Sequence, residues 1–129
     1  MGANKDRKLN VIDFFCGAGG FSEGFRQMGF NIVKGYDNWS QAIDTFNHNF
    51  ETDSQAQDIL EYLNSTEAIE SLPDTDVIIG SPPCVTFSSS NRSGKADKST
   101  GIDLTKSFLR VVALKKYKKN SKLKAWFME

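Results

Sequence analysis

The chain is 129 residues long, 39% hydrophobic and 25% charged, with a formal net charge of zero. That size fits one domain with a buried core, and the apolar fraction excludes a disordered chain. No apolar stretch approaches the roughly 20 residues that cross a bilayer, the polar start from Met1 to Lys8 predicts no secretory leader, and two cysteines make no disulfide scaffold, so a reducing, cytoplasmic setting is expected. The neutral total hides an asymmetry: residues 1–91 hold 5 Lys and Arg against 13 Asp and Glu, whereas residues 92–129 hold 11 against 3. The basic third either meets a polyanion or is a solvated lysine face, and charge alone favours the solvated face.

In chain order, Leu9 to Phe15 is a short apolar run that stops at Gly17, which predicts a buried strand. Phe21 to Met28 reads as a helix ended by Gly29. Asn31 to Tyr36 is a second strand, and Ser40 to Phe50 a second helix with Ala42, Ile43 and Phe46 on its apolar face. Gln57 to Leu60 is expected to be a short strand end, followed by a helix from Thr66 to Ser71. Asp76 to Gly80 is a clear buried strand. Ser81 to Gly101 lacks hydrophobic periodicity and predicts a long binding loop or lid. A helix over Asp103 to Lys118 follows, with Leu104, Phe108, Leu109, Val112 and Tyr117 as its apolar stripe, and Leu123 to Met128 is a fifth strand. This β-α-β-α-β-α-β-α-β order predicts an α/β domain with a doubly wound parallel sheet. Ligands of such sheets bind beyond the carboxyl ends of the strands.

Two clusters sit at that edge. Asp13-Phe14-Phe15-Cys16-Gly17-Ala18-Gly19-Gly20-Phe21-Ser22 runs from a strand through a glycine turn into a helix. Glycines let the backbone approach a ligand closely, although Ser22 stands where a dinucleotide fingerprint has its third glycine. About 20 residues on, Asp37 ends the second strand, where a carboxylate accepts both hydroxyls of a ribose. Turn and carboxylate together suggest an adenosine-containing ligand. The second cluster is Gly80-Ser81-Pro82-Pro83-Cys84, directly after a strand. Its prolines stiffen the turn, so Cys84 is a candidate nucleophile at the ligand edge, while Cys16 reads as a small buried hydrophobe.

In these motifs the chain resembles the first part of a DNA (cytosine-5) methyltransferase. Phe15-Cys16-Gly17-Ala18-Gly19 matches that family's F-x-G-x-G motif, and Pro83-Cys84 its nucleophile motif. Asp58-Ile59 matches the acidic residue that meets the adenine amino group, and Trp126-Phe127-Met128-Glu129 the approach to its Glu-Asn-Val motif. The resemblance implies a Rossmann-like S-adenosylmethionine-dependent methyltransferase fold, C-terminally incomplete, spanning residues 1–129. It implies S-adenosylmethionine as cofactor, walled by Phe15, Cys16, Gly17, Gly19, Gly20 and Phe21. Asp37 would hold the ribose with Asn38 beside it, Asp58 and Ile59 would face the adenine, and Ser81 and Leu104 would close the pocket. By the same resemblance Cys84 adds to C6 of a flipped cytosine while Glu129 protonates N3, and Ser88, Arg92, Lys95 and Lys98 form a DNA-contacting loop.

The partners implied are double-stranded DNA and a complementary C-terminal methyltransferase polypeptide, in a restriction-modification setting at the nucleoid, with no membrane. No metal-ligand cluster is expected. Lys115, Lys116, Lys118 and Lys119 are expected to be solvated, and His48 to lie at the surface. The chain departs from the family pattern in Val85, which stands where Gln is common, and in Asn38, which replaces an apolar residue that packs on adenine. It also stops at Glu129, before the family's target-recognition domain. The expected function is therefore the N-terminal portion of a split cytosine-5 methyltransferase, inactive by itself. Its alternatives are an inactive truncated fragment and an S-adenosylmethionine-binding regulatory module.

Overall fold

The apolar runs do become a sheet. A computed structural model of the chain describes residues 7–83 and 98–129. β1 (Asn10–Phe14), β2 (Asn31–Tyr36), β3 (Val77–Gly80) and β4 (Ala125–Met128) form one sheet in the order β2-β1-β3-β4. Every pairing is parallel. The central strands are buried on both faces, which is why they read as continuous apolar runs rather than alternating ones. The helices are α1 (Gly20–Gln27), α2 (Ser40–Phe50), α3 (Glu61–Asn64), α4 (Thr66–Glu70) and α5 (Lys98–Tyr117).

Two cores follow from the period of two along each strand. Val11, Ile32, Val77 and Ile79 pack with Ile43 and Phe46 of α2 and, less deeply, with Phe21 and Phe25 of α1. On the other face Ile12, Phe14, Tyr36 and Ile78 pack with Tyr62 and Ile69 of α3 and α4 and with Phe108, Val111 and Val112 of α5. β4 joins both layers through one ring each: Trp126 lies 6.3 Å from Phe108, and Phe127 lies 5.6 Å from Phe25. The doubly wound parallel sheet expected from the sequence is thus present.

Three expectations need correction. Gln57 to Leu60 is not a strand, so the described residues hold four strands rather than five. The Asp58 carboxylate accepts the Leu60 N–H at 3.0 Å, and this side-chain turn leads the chain into α3 instead of along the sheet. α5 begins at Lys98, inside the predicted loop, because its polar first turns carry no apolar period for a sequence reading to detect. Finally, its buried stripe is Phe108, Val111, Val112 and Lys115, while Leu109 and Tyr117 are exposed. Lys115 occupies a core position: its stem is buried, and Nζ donates to the Leu72 carbonyl at 2.5 Å and lies 3.4 Å from Asp74. His48 is exposed, as expected.

At the amino end of β3 the buried Asp76 organises a junction. Arg7 donates to both its oxygens at 3.0 and 3.2 Å, and the Asn10 N–H donates at 2.8 Å. Lys124 lies 3.4 Å away. One carboxylate thereby ties the chain before β1, β3 and the entry to β4 into one place.

Candidate functional site

The opposite, carboxyl edge of the sheet carries the candidate site. The strand order reverses between β1, whose chain goes on to β2, and β3 on its other side. That reversal leaves a crevice beyond the carboxyl ends of the strands. β1 enters it through a strained turn. Phe15 has φ 58, a left-handed conformation that a bulky side chain rarely adopts, and Gly17 and Gly19 follow at φ 53 and 106. A Cβ on Gly19 would also fall on the Phe50 ring, so both backbone and space demand glycine there. The turn is closed by Gly19 N–H donating to the Cys16 carbonyl at 2.9 Å, and Cys16 N–H donates to the Tyr36 carbonyl at 3.1 Å.

Asp37 secures the turn from the end of β2. Its Oδ2 accepts from the Gly17 N–H and its Oδ1 from the Trp39 N–H, both at 3.0 Å. Each oxygen retains a free lone pair, so the carboxylate can still accept two ligand hydroxyls. Around it, Phe15, Asp37, Asn38, Asp58, Ile59, Pro83 and Leu104 line one small cleft. They come from the ends of β1, β2 and β3, the turn before α3, and α5. A pair of acceptors between apolar walls, with Asp58 beside them, suits a purine nucleoside.

The remaining site candidates lie elsewhere or beyond view. Cys16 is buried and packs under Gly35, where an added Cβ would come within 2.7 Å of its sulfur. Burial pushes its thiol pKa up, with Asp13 and Asp37 adding to the effect, so it is not a nucleophile. Gly19 and Gly20 border a different, open hollow with Asn49 and Phe50, and Phe21 stacks edge-on against Phe25. The Ser81 N–H donates to the Phe14 carbonyl at 3.1 Å, and this residue does not line the cleft. Glu129 is exposed, with its N–H on the Gly80 carbonyl at 3.0 Å, which sets it at the same sheet edge. Cys84, Ser88, Arg92 and Lys95 lie outside the described residues, and Lys98 is in the first turn of α5. No metal-binding group of His, Cys, Asp and Glu occurs among the described residues.

Two residues of this edge, Asp13 and Ser22, are ones to which the sequence motifs assign no role. Asp13, in the apolar run of β1, is fully buried, and the Ser22 hydroxyl donates to its Oδ2 at 2.7 Å. Burial pushes the Asp13 carboxyl up to about 7, against the downward pull of the Ser22 hydrogen bonds. The available signal was a lone acid inside a buried strand. A larger groove along α4 and the last turns of α5, lined by Ile69, Leu114 and Tyr117, contains none of the predicted site residues.

The sequence profile of the C-5 cytosine-specific DNA methylases matches residues 9–127, nearly the whole chain. The chain belongs to that family. It is 40% identical over 105 residues to the Type II methyltransferase M.HgiGI of Herpetosiphon aurantiacus, covering 81% of this chain and 80% of that relative. It is 39% identical over 107 residues to M.HindV of Haemophilus influenzae, covering 81% of this chain but 33% of the relative. Against M.HgiDI, also of Herpetosiphon aurantiacus, the coverage is again 33% of the relative. The chain therefore spans most of one relative and about a third of the other two.

Among solved structures, it is similar to an Escherichia coli prophage-encoded protein described as a putative DNA modification methyltransferase. The TM-score is 0.63 at 33% identity, over 82% of this chain and 29% of that one. A second is the Entamoeba histolytica methyltransferase EhMeth, with a TM-score of 0.57 at 27% identity over 86% and 33% of the two chains. The fold is thus the Rossmann-like fold of S-adenosylmethionine-dependent methyltransferases, and S-adenosylmethionine is the cofactor of this C-5 cytosine methylase domain. The cleft's chemistry fits that molecule, since Asp37 keeps two free lone pairs between the apolar walls of Phe15, Ile59 and Leu104. No helix among the described residues is long and apolar enough to cross a membrane.

Proposed function

We propose that this methylase domain transfers a methyl group to C5 of cytosine in double-stranded DNA, and that it acts as the cofactor-and-nucleophile half of a two-part catalytic unit. The observation that carries this reading is the lining of the cleft: Pro83, the residue before Cys84, borders the same cleft as Phe15, Asp37, Asp58 and Ile59. Cys84 follows Pro83 directly in the sequence, which supports its role as the nucleophile of this site. S-adenosylmethionine, when bound, supplies an electrophilic methyl group.

The chain's own residues do the rest. Phe15, Ile59 and Leu104 wall the adenosine, Asp37 accepts its ribose hydroxyls and Asp58 accepts from its exocyclic amine; the Gly17–Gly20 turn leaves room for the methionine portion. Carbon 5 of cytosine is a weak nucleophile, so the Cys84 thiolate first adds to C6 and pushes electron density onto C5. Once C5 carries the methyl group, loss of the C5 proton to a base expels the thiolate from C6 and restores the ring and the free nucleophile. Glu129 donates a proton at N3, neutralising the charge that develops there. Neither group reaches a base inside the stack, so the cytosine is flipped out. Ser88, Arg92, Lys95 and Lys98 hold the flanking phosphates. In this reading a complementary polypeptide supplies target recognition.

The test is methyl transfer from radiolabelled S-adenosylmethionine to duplex DNA, with this chain alone and mixed with the remaining two thirds of a methylase of this family. Activity is expected only on mixing, and Cys84→Ala should lower it by roughly 10³-fold or more. A mixture that works equally well with Cys84→Ala would overturn the assignment of the nucleophile.

A further inference from the structure

Asp13 stands where the chain has no structural need of an acid. It shares with Val11 the face of β1 that packs against α1 and α2, and its register partners are Gly35 of β2 and Ile79 of β3. Its Oδ2 takes the Ser22 hydroxyl, but its Oδ1, equally buried, meets no donor among the described residues. A carboxylate that only braces a fold has its oxygens satisfied, because a bare buried acceptor costs free energy. Position explains more than packing does. Asp13 is two residues before Phe15 and Ser22 is two residues after Gly20, so their hydrogen bond spans the base of the glycine turn. Asp37, which lines the cleft, acts electrostatically on Asp13. Asp37 also accepts the Gly17 N–H of that same turn at 3.0 Å, so one turn joins Asp13 to the cleft wall, and a positive charge held beside the turn favours the ionised carboxyl.

We propose that Asp13 is a positioning residue of the cofactor cleft, clasping the glycine turn through Ser22 and favouring a cationic sulfonium ligand over its neutral thioether product. The proposal rests on the cofactor assignment given above. Of the groups facing Asp13, Asp37 at the end of β2 acts toward keeping its proton and the Ser22 hydrogen bonds act against it, while Cys16 in the turn is neutral and β3 brings only Ile79. On α1, Glu23 and Arg26 pair with each other on its exposed side. With the carboxyl near pH 7 in the free chain, a bound sulfonium favours its ionised form and drives the proton off. Affinity for S-adenosylmethionine then rises with pH.

Calorimetry on the whole chain in buffers of different ionisation enthalpy tests this directly. At pH 6.5, S-adenosylmethionine should release about half a proton per molecule bound, and its affinity should rise at least about threefold from pH 6 to pH 8. S-adenosylhomocysteine, uncharged at sulfur, should release less. Asp13→Asn should still bind the cofactor while both effects disappear. If Asp13→Asn does not fold, Ser22→Ala serves: removing the donor should move the midpoint of the pH dependence upward. Cofactor binding without proton release, release that persists in Asp13→Asn, equal release by the two ligands, or an unmoved midpoint in Ser22→Ala would each overturn the proposal. Absence of cofactor binding at every pH would instead overturn the cofactor assignment, and the proposal with it.

Discussion

Two buried aspartates, one at each end of the sheet, have opposite surroundings. Asp76, at the amino end of β3, has Arg7 on both oxygens, the Asn10 N–H on one and Lys124 near the other. Burial pushes its carboxyl up, but those partners outweigh burial and hold it at about 2. Asp13, near the carboxyl end of β1, has Ser22 alone, and burial wins, to about 7. The same side chain is thus a fastener at one end and a group held out of its comfortable state at the other. Amino ends of parallel strands carry stability, and the unsatisfied chemistry gathers at the carboxyl ends, beside the cleft.

The comparison can be broken most directly at Asp76. Asp76→Ala should lower the unfolding free energy at pH 7 by about 2–3 kcal/mol, read by urea denaturation. The cost stays at that level because Arg7 and Lys124 are about half exposed and regain water, while the Asn10 N–H loses its acceptor. A loss under about 0.5 kcal/mol would mean that the junction is ornamental and that the two ends do not differ as argued. The S-adenosylmethionine affinity of that variant should be unchanged, since nothing at Asp76 reaches the cleft.

A somewhat smaller effect sharpens the contrast through pH. Asp76 has a lowered folded-state pKa, so its contribution is complete above about pH 4 and is lost as pH falls toward 2. Asp13 has a raised one, so its neutral form favours folding at low pH and that advantage disappears as pH rises from 4 through 7. Between pH 5 and pH 7.5 the chain should lose about 2 kcal/mol of stability, and Asp13→Asn should flatten that limb without touching the acid one. A flat wild-type profile over that range would show that the orphan oxygen finds a donor and that Asp13 is an ordinary brace.

The sequence made the parts with local causes legible. β1 and β3 are short continuous apolar runs, and the glycines and Asp37 sit at fixed offsets from them, so the sheet edge and much of the cleft could be read residue by residue. What escaped was decided by partners distant in sequence. Asp76 meets Arg7 across 69 positions, and nothing local announces it. Lys115 reads as surface because it is a lysine among lysines, yet the Leu72 carbonyl and Asp74 give its amine a place at the core. The extra strand at Gln57 failed for a local reason of another kind, a side-chain turn at Asp58 that competes with extension. At the site, Phe15, Asp37, Asn38, Asp58, Ile59 and Leu104 share the cleft, whereas Phe21, Gly19, Gly20 and Ser81 serve the turn and the packing behind it. Glycines do their work through φ and close approach rather than by touching a ligand, which a motif match cannot distinguish.

The smallest expected effect concerns Trp39, the aromatic residue next to Asn38. An indole beside an adenosine cleft is an obvious substitute for the apolar residue that Asn38 replaces. Its side chain, however, is 63% exposed and does not line the cleft, and its one contribution there is a backbone N–H given to Asp37. Alanine keeps that N–H. Trp39→Ala should therefore change stability by less than about 0.5 kcal/mol, and S-adenosylmethionine affinity, measured by calorimetry, by less than about twofold. Asn38→Phe should raise affinity instead, because a ring at that cleft position adds apolar wall where an amide now stands. A tenfold weakening in Trp39→Ala would show that the indole swings over the adenine when the cofactor binds. The carboxyl end would then be not only less satisfied than the amino end but less fixed as well.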